Sequence, residues 1–131
     1  MKKEELRERT RQFGLRIMKL CKALPRTAGA RVIANQLLRS GTSVGANYRA
    51  ACRARSKAEF LSRLAVVLEE AEESEYWRGL LLDGAVMKEI LVGPLRIEAG
   101  DLVRIFGAAE STMRTQIQNA RSTQDKLGIG I

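Results

Sequence analysis

Residues 56–64 read Ser-Lys-Ala-Glu-Phe-Leu-Ser-Arg-Leu, and this stretch holds the clearest helix start in the chain. Ser56 and Glu59 have the spacing of a capping box, in which a hydroxyl and a carboxylate accept hydrogen bonds from otherwise free N–H groups. Apolar side chains follow at once, and their spacing is helical. The stretch therefore predicts that a helix begins here.

The apolar stripe continues downstream and predicts a third helix of about 35 residues. We expect this helix to bend near Gly84 and to end at Gly93-Pro94, because glycine and proline together terminate helices. The stripe consists of Leu64, Leu68, Ala71, Leu81, Gly84, Met87 and Leu91.

Two helices are predicted upstream. The first runs from about Glu4 to Leu24, where Pro25 ends it. Its apolar face is formed by Leu6, Thr10, Phe13, Ile17, Leu20 and Leu24. Thr27 is the predicted N-cap of the second helix, and residues 49–55 form that helix's end and a short connection. The apolar positions of the second helix are Val32, Ala34, Leu37, Leu38 and Val44.

A fourth helix is predicted from about Ala99, with an apolar face of Leu102, Ile105, Phe106, Ala109, Met113 and Ile117. Residues 119–131 lack periodicity and predict a flexible C-terminal tail, or one whose Leu127, Ile129 and Ile131 dock on a partner. No segment alternates like a strand. The sequence therefore predicts an all-α, antiparallel up-down-up-down four-helix bundle over residues 1–118.

Residues 40–47 interrupt the second helix with small and polar side chains. Gly41 and Gly45 are one turn apart and allow another backbone to approach closely. Ser43 and Asn47 are also one turn apart. This pattern favours a tight helix crossing with locally satisfied polar groups, and the alternative is a contact with a ligand or partner.

The composition excludes several kinds of site. The 131 residues include no histidine, which removes the Glu-x-x-His metal sites of helical bundles and any histidine-based catalysis. Consecutive glutamates at 69–75 point around a helix and favour a solvated face over a Mg²⁺ site. We predict no catalytic residue, no metal and no cofactor. Without a signal sequence or a membrane span, we expect a cytoplasmic protein in which Cys21 and Cys52 are reduced.

Charge is distributed unevenly. The net charge is +8, and the segment from Arg9 to Ala58 contains twelve Lys or Arg and no acidic residue. Six glutamates then follow between Glu59 and Tyr76. Because like charges repel, we expect an anionic partner for this block. The candidates are the acidic segment of the chain itself, a neighbouring subunit, or a nucleic acid.

Two groups of residues are predicted to bind nucleic acid: Arg49, Arg53, Arg55 and Lys57 near the end of the second helix, and Arg39 upstream on the same helix. The alternative is that these cations pair with glutamates 69–75 of the next helix. Aromatic residues are few, which disfavours binding of single strands by stacking. Tyr76 and Trp77 are predicted subunit-interface residues, because adjacent helical positions should direct one into the core and the other to a subunit boundary. The alternative is that both cover the bundle's own core.

Three motifs in order resemble the four-helix bundle family named for the 23S ribosomal RNA intervening-sequence protein. They are Gln36-Leu-Leu-Arg-Ser-x-x-Ser-Val-x-x-Asn47, Arg53-x-Arg-Ser-Lys-x-Glu-Phe60 and Glu70-x-x-Glu-Ser-x-Tyr-Trp77. The family often carries a glutamate shortly after the asparagine, where this chain has Ala50 and Ala51.

The resemblance implies a bacterial protein that assembles as a homopentamer. A related branch includes the accessory variability determinant of diversity-generating retroelements, which implies RNA or DNA and a reverse transcriptase as candidate partners. We therefore predict a non-enzymatic oligomer that binds nucleic acid through its phosphates. The alternative is a structural or adaptor oligomer whose basic face is used in self-assembly.

Overall fold

The computed structural model describes residues 1–86 and 89–128, and for residues 89–92 it describes the backbone alone. Four helices occupy this part of the chain: α1 (Lys3–Ala23), α2 (Ala28–Ala51), α3 (Lys57–Asp83) and α4 (Glu89–Leu127). The described residues include no strand. Each helix packs against its neighbour in sequence, and α1 also contacts α4, which closes the bundle. The predicted all-α four-helix bundle is confirmed.

Side-chain caps begin α2 and α3 as predicted. The Thr27 hydroxyl accepts a hydrogen bond from Ala30 N at 3.3 Å, and the Ser56 hydroxyl accepts one from Glu59 N at 3.1 Å. The Glu59 carboxylate reaches back to Arg55 N at 2.8 Å, one residue earlier than the standard box would have it. Caps of this kind stabilise a helix by about 1 kcal/mol each.

The predicted core of α1 is confirmed, because all six predicted positions are buried. In α2, Leu37 and Val44 are buried as predicted, but Val32 and Leu38 are 60% and 37% exposed. Each residue turns a helix by about 100°, so Val32 and Leu38 lie about 140° and 100° away from Leu37. Their assignment to the core pattern was therefore wrong.

The buried face of α3 contains two polar residues that the apolar pattern missed. Leu64, Ala71 and Leu81 are buried as predicted, and Leu68 is half-buried. Ser74 and Arg78 lie on the same face and are 1% and 8% exposed. Gly84, also predicted on this stripe, is exposed, and Met87 and the side chain of Leu91 fall outside the described residues.

The small residues of α2 form a tight crossing with α1, as predicted. A Cβ added at Gly41 would lie 2.7 Å from Ile17 Cγ1, and one added at Gly45 would lie 3.3 Å from the Thr10 carbonyl oxygen. The two polar side chains nearby are satisfied within α2. Ser43 Oγ donates to the Arg39 carbonyl at 2.6 Å, and Asn47 Nδ2 donates to the Ser43 carbonyl at 2.9 Å.

The connection between α3 and α4 differs from the prediction. We expected α3 to end at Gly93-Pro94 and α4 to begin near Ala99, but α3 ends at Asp83 and α4 begins at Glu89. Pro94 therefore lies inside α4, where its missing N–H removes one backbone hydrogen bond. Four residues that follow it in α4 are buried at helical spacing: Leu95, Ala99, Leu102 and Phe106. This buried face begins directly after the proline, four residues before the predicted helix start at Ala99.

α3 ends in a pair of backbone hydrogen bonds, and the usual glycine is absent from the left-handed position of that turn. Val86 N donates to the Leu81 carbonyl at 2.9 Å, and Ala85 N donates to the Leu82 carbonyl at 3.0 Å. Together these two bonds form a Schellman motif. Its left-handed position is usually glycine, but here it is Ala85 with φ 55°. The preceding Gly84 is the C-cap.

α4 also extends further than expected. Residues 119–127, which we assigned to a flexible tail, continue the helix to Leu127 with exposed side chains. Leu127 is 65% exposed, while Ile129 and Ile131 lie outside the described residues. On the predicted apolar face, Leu102 and Phe106 are buried and the other four positions are half-buried.

Cys21 and Cys52 are free thiols that pack against the core, and burial raises the pKa of Cys21. Within the described part of the chain, no helix is both long enough and apolar enough to cross a bilayer.

Candidate nucleic-acid interface

A short connection displays the predicted cations at one end of the bundle. α2 ends at Ala51 with Cys52 as its C-cap, and the N–H groups after Cys52 bond three residues back instead of four. Arg53 N donates to the Ala50 carbonyl at 3.1 Å, and Ala54 N donates to the Ala51 carbonyl at 3.0 Å. Such bonds tighten and close the last turn. The chain then reaches the Ser56 cap within two residues, so the connection stays on the surface.

Four of the five predicted binding residues are brought together by this connection. Arg49 lies in the last turn of α2, Arg53 and Arg55 lie in the connection, and Lys57 is the first residue of α3. All four side chains are exposed. None of them forms an ion pair with any residue that the structure describes. This cluster, residues 49, 53, 55 and 57, is called the connection cluster below.

Arg39, the fifth predicted residue, lies in a different environment. Ten residues separate it from Arg49, which corresponds to about 15 Å along α2. Its guanidinium donates to Glu70 Oε2 at 3.2 Å and also binds Glu73. Trp77 Nε1 donates to the same Glu73 carboxylate at 3.1 Å. The structure therefore does not place Arg39 with the connection cluster.

The two carboxylates that hold Arg39 differ in their acidity. Hydrogen bonds from Arg39 and then from Trp77 lower the pKa of Glu73, because they stabilise its charged form. Burial is the largest influence on Glu70 and raises its pKa, although Arg39 opposes that effect. Glu73 is therefore the stronger electrostatic partner of the arginine.

Few of the twelve basic residues between Arg9 and Lys57 are neutralised by carboxylates that the structure describes. Among the described residues, carboxylates pair with three of them: Arg9, Arg11 and Arg39. Arg9 binds Glu98 and Asp101 of α4, which joins α1 to α4, and its hydrogen bond to Glu98 raises the pKa of Arg9. The other nine basic residues have no carboxylate partner in residues 1–86 and 93–128. Pairing with the acidic segment of α3 therefore accounts for Arg39 alone.

A surface groove of about 660 Å³ runs between α1 and α2 beside Arg49. Its floor is made of small residues, Gly14, Thr42, Gly45 and Ala46. Both signs of charge line it, through Glu4, Arg7, Glu8, Arg11 and Arg49. Leu15 and Met18 at its edge are 43% and 42% exposed. The groove is therefore an amphipathic surface of mixed charge.

Of the two adjacent aromatic residues, Tyr76 lies at the surface and Trp77 is partly buried. Trp77 packs against the core cluster, whereas Tyr76 is 59% exposed. Their rings meet edge to face with centroids 5.0 Å apart. A role for either residue at a subunit interface stays a prediction.

The sequence did not reveal a second groove, between the start of α3 and residues 114–121 of α4. Unlike the first groove, this one is lined by cations and by no carboxylate. Its α4 side reaches into the segment that we assigned to a tail. Arg114 and Arg121 lie seven residues apart, which is a helical spacing and the only signal that the sequence offered.

The 23S rRNA-intervening sequence protein family model matches residues 2–107. The chain belongs to this family. The recognition made from the three motifs is thereby confirmed, while the relation to retroelement accessory proteins stays a prediction.

A solved structure gives the same fold. It is a protein of unknown function from the S23 ribosomal protein family of Bacteroides thetaiotaomicron. It shares 32% identity with this chain at a TM-score of 0.78, and the match covers 85% of this chain and 99% of that one. A comparison with curated proteins finds no match.

Proposed function

We propose that this protein is a non-enzymatic bundle that binds duplex RNA or DNA through backbone phosphates at the connection cluster. The proposal rests on a contrast within residues 9–58, the segment without acidic residues that is called the acid-free block below. Some of its cations pair with carboxylates and most do not. Nine of its twelve cations lack a carboxylate partner among the described residues, and four of those nine lie between residues 49 and 57. A polyanion is the partner that such a cluster fits, because each neutralised phosphate releases a counterion.

The chemistry of the cluster favours phosphates over bases. Arginine guanidinium groups match the geometry of phosphate oxygens, and lysine acts as a point charge. Contacts to phosphates position a protein on nucleic acid without reading its sequence. The family's name, which refers to an intervening sequence of 23S rRNA, adds support for RNA.

The proposal includes self-association. Large apolar side chains are exposed on α1, α2 and α3, and contacts between subunits would cover them: Leu15, Met18, Leu38, Val66 and Tyr76. The resemblance gives five as the number of subunits and adds a reverse transcriptase as a protein partner. Native mass spectrometry measures both the number of subunits and any nucleic acid that co-purifies, and a purely monomeric species would contradict this part.

A titration against labelled RNA and DNA duplexes at several salt concentrations tests the binding. We expect log K to fall with log salt by about 0.9 for each phosphate contacted. The connection variant R53Q/R55Q/K57Q should flatten this slope by about 2.7, because it removes three contacts. A flat slope for the wild type would reject the proposal.

A matched control separates local contacts from total charge. The control variant R11Q/R63Q/R104Q removes the same three charges, but each of its arginines already pairs with a carboxylate three or four residues away. We expect it to bind with a slope close to that of the wild type. Equal losses in the two variants would mean that only net charge matters, which contradicts a site at the connection.

A structural or adaptor oligomer is the second candidate function. The exposed apolar side chains of α1, α2 and α3 favour it, because contacts with a neighbouring subunit would cover them. This candidate predicts an oligomer that dissociates as salt rises and has no affinity for nucleic acid. Light scattering across ionic strength, together with the titration above, distinguishes it from the first.

A further inference from the structure

The groove between α3 and α4 carries only one sign of charge. Its volume is about 360 Å³, and it lies between the first three turns of α3 and residues 114–121 of α4. The residues that line it are Ala58, Leu61, Ser62, Ala65, Arg114, Ile117, Gln118 and Arg121. No carboxylate is among them, whereas Glu4 and Glu8 line the groove between α1 and α2.

Its arginines remain accessible to a ligand. Arg121 is exposed and has no ion-pair partner among the residues that the structure describes. Arg114 contacts Glu110 at 2.5 Å, yet its side chain remains 58% exposed. The two arginines are seven residues apart on α4, which places them on one face about 10 Å apart.

The groove also adjoins the connection cluster. Ala58 forms one end of the groove and directly follows Lys57 in the chain. Arg121 lines that groove, so its cation and those of the connection cluster belong to the same end of the bundle. The α4 side of the groove lies beyond residue 107, where the family match ends.

We propose that the groove between α3 and α4 is a second phosphate-binding site, which extends the connection cluster so that one duplex contacts both. Arg114 and Arg121 would bind phosphate oxygens, and the Gln118 amide and the Ser62 hydroxyl would donate further hydrogen bonds. The inference rests on the proposed function. It adds that the end of α4, outside the family match, enlarges the binding surface of this chain.

Two double variants test the inference with the full-length protein and the same RNA and DNA duplexes. R114Q/R121Q should flatten the plot of log K against log salt by between about 0.9 and about 1.8, because Arg121 has no described carboxylate partner whereas Arg114 already pairs with Glu110. R63Q/R104Q removes two charges whose arginines pair within their own helices, as Arg114 does, but do not line the groove. It should leave the slope near that of the wild type. If both variants change the slope equally, the groove is not a site.

Crosslinking gives a readout of position that does not depend on net charge. A photo-crosslinker attached to Ser62→Cys should join the protein to the duplex, while one attached to Thr42→Cys in the groove between α1 and α2 should not. The wild type, with its partly buried Cys21 and Cys52, gives the background. Equal yields from the two positions would overturn the inference.

These outcomes separate the inference from the function on which it rests. If the wild type shows no salt-dependent binding, both fail. If the wild type binds and R53Q/R55Q/K57Q weakens binding while R114Q/R121Q does not, the groove alone is rejected. A steep wild-type slope that both variants flatten, with crosslinking from position 62, supports both.

Discussion

The middle of α2 and its C-terminal end belong to the same acid-free block, yet their charges have different surroundings. In the middle, Ser40 lies opposite Ser74 of α3 with their hydroxyl oxygens 3.0 Å apart, and Arg39 meets two glutamates. At the C-terminal end, α2 is followed by a surface connection whose cations form no ion pair with a described carboxylate. The register of the adjacent helix therefore decides which cations stabilise the fold and which remain accessible to a ligand.

Among the variants considered, one that changes the packing in the middle of α2 should have the largest effect. Gly41→Ala should destabilise the protein by about 1–3 kcal/mol, because its Cβ would lie 2.7 Å from Ile17 Cγ1. Gly29→Ala is the matched control near the start of α2, where a Cβ meets nothing within 4 Å. It should be neutral or stabilising. The free energy of unfolding from urea denaturation checks both, and equal effects would contradict a tight crossing.

Removing the buried hydroxyl of Ser74 should have the next largest effect. Ser74→Ala should cost about 1 kcal/mol, because the buried Ser40 hydroxyl loses a partner. The double variant S40A/S74A should cost less than the sum of the two single variants, since both polar groups are then gone. Strict additivity in this cycle would show that the two hydroxyls do not interact.

Replacing Arg39 should affect stability more than duplex affinity, and replacing Arg53 should affect duplex affinity more than stability. Arg39→Gln should lower the free energy of unfolding slightly, because an exposed pair contributes little, and should leave duplex affinity nearly unchanged. Arg53→Gln should leave stability unchanged and reduce affinity at low salt by several-fold. The same loss of affinity in both variants would erase the distinction between the two regions.

A pH series should show the smallest effect, at the glutamates around Arg39. The pKa of Glu73 is lowered in the folded protein, so its contribution to stability is present above its unfolded pKa and is lost as pH falls through the folded value. The stability difference between wild type and Glu73→Gln should therefore shrink below about pH 4.

The pKa of Glu70 is raised, so protonation on acidification favours the folded state there. Glu70→Gln should accordingly be neutral or stabilising near neutral pH.

Local patterns in the sequence were sufficient for much of the fold. The six core positions of α1 follow from 3.6-residue periodicity, and the caps at Thr27 and Ser56 from side-chain chemistry. The tight crossing at Gly41 follows from residue size. Each of these features depends on residues within a few turns of one another.

Features that depend on backbone geometry or on another helix were not predictable. Gly93-Pro94 is a stronger stop signal than Ala85, yet the Schellman motif at Ala85 ends α3. The different environments of Arg39 and Arg49 depend on how α2 aligns with α3, which a single sequence does not reveal. The end of α4 looked irregular because its side chains are exposed, so no apolar stripe marked it.

The decisive measurement is the slope of log K against log salt for duplex RNA in R53Q/R55Q/K57Q and in R11Q/R63Q/R104Q. We expect the first variant to flatten the wild-type slope by about 2.7 and the second to leave it nearly unchanged. Superimposable slopes for the two variants would contradict the claim that the cations at the end of α2 bind phosphates.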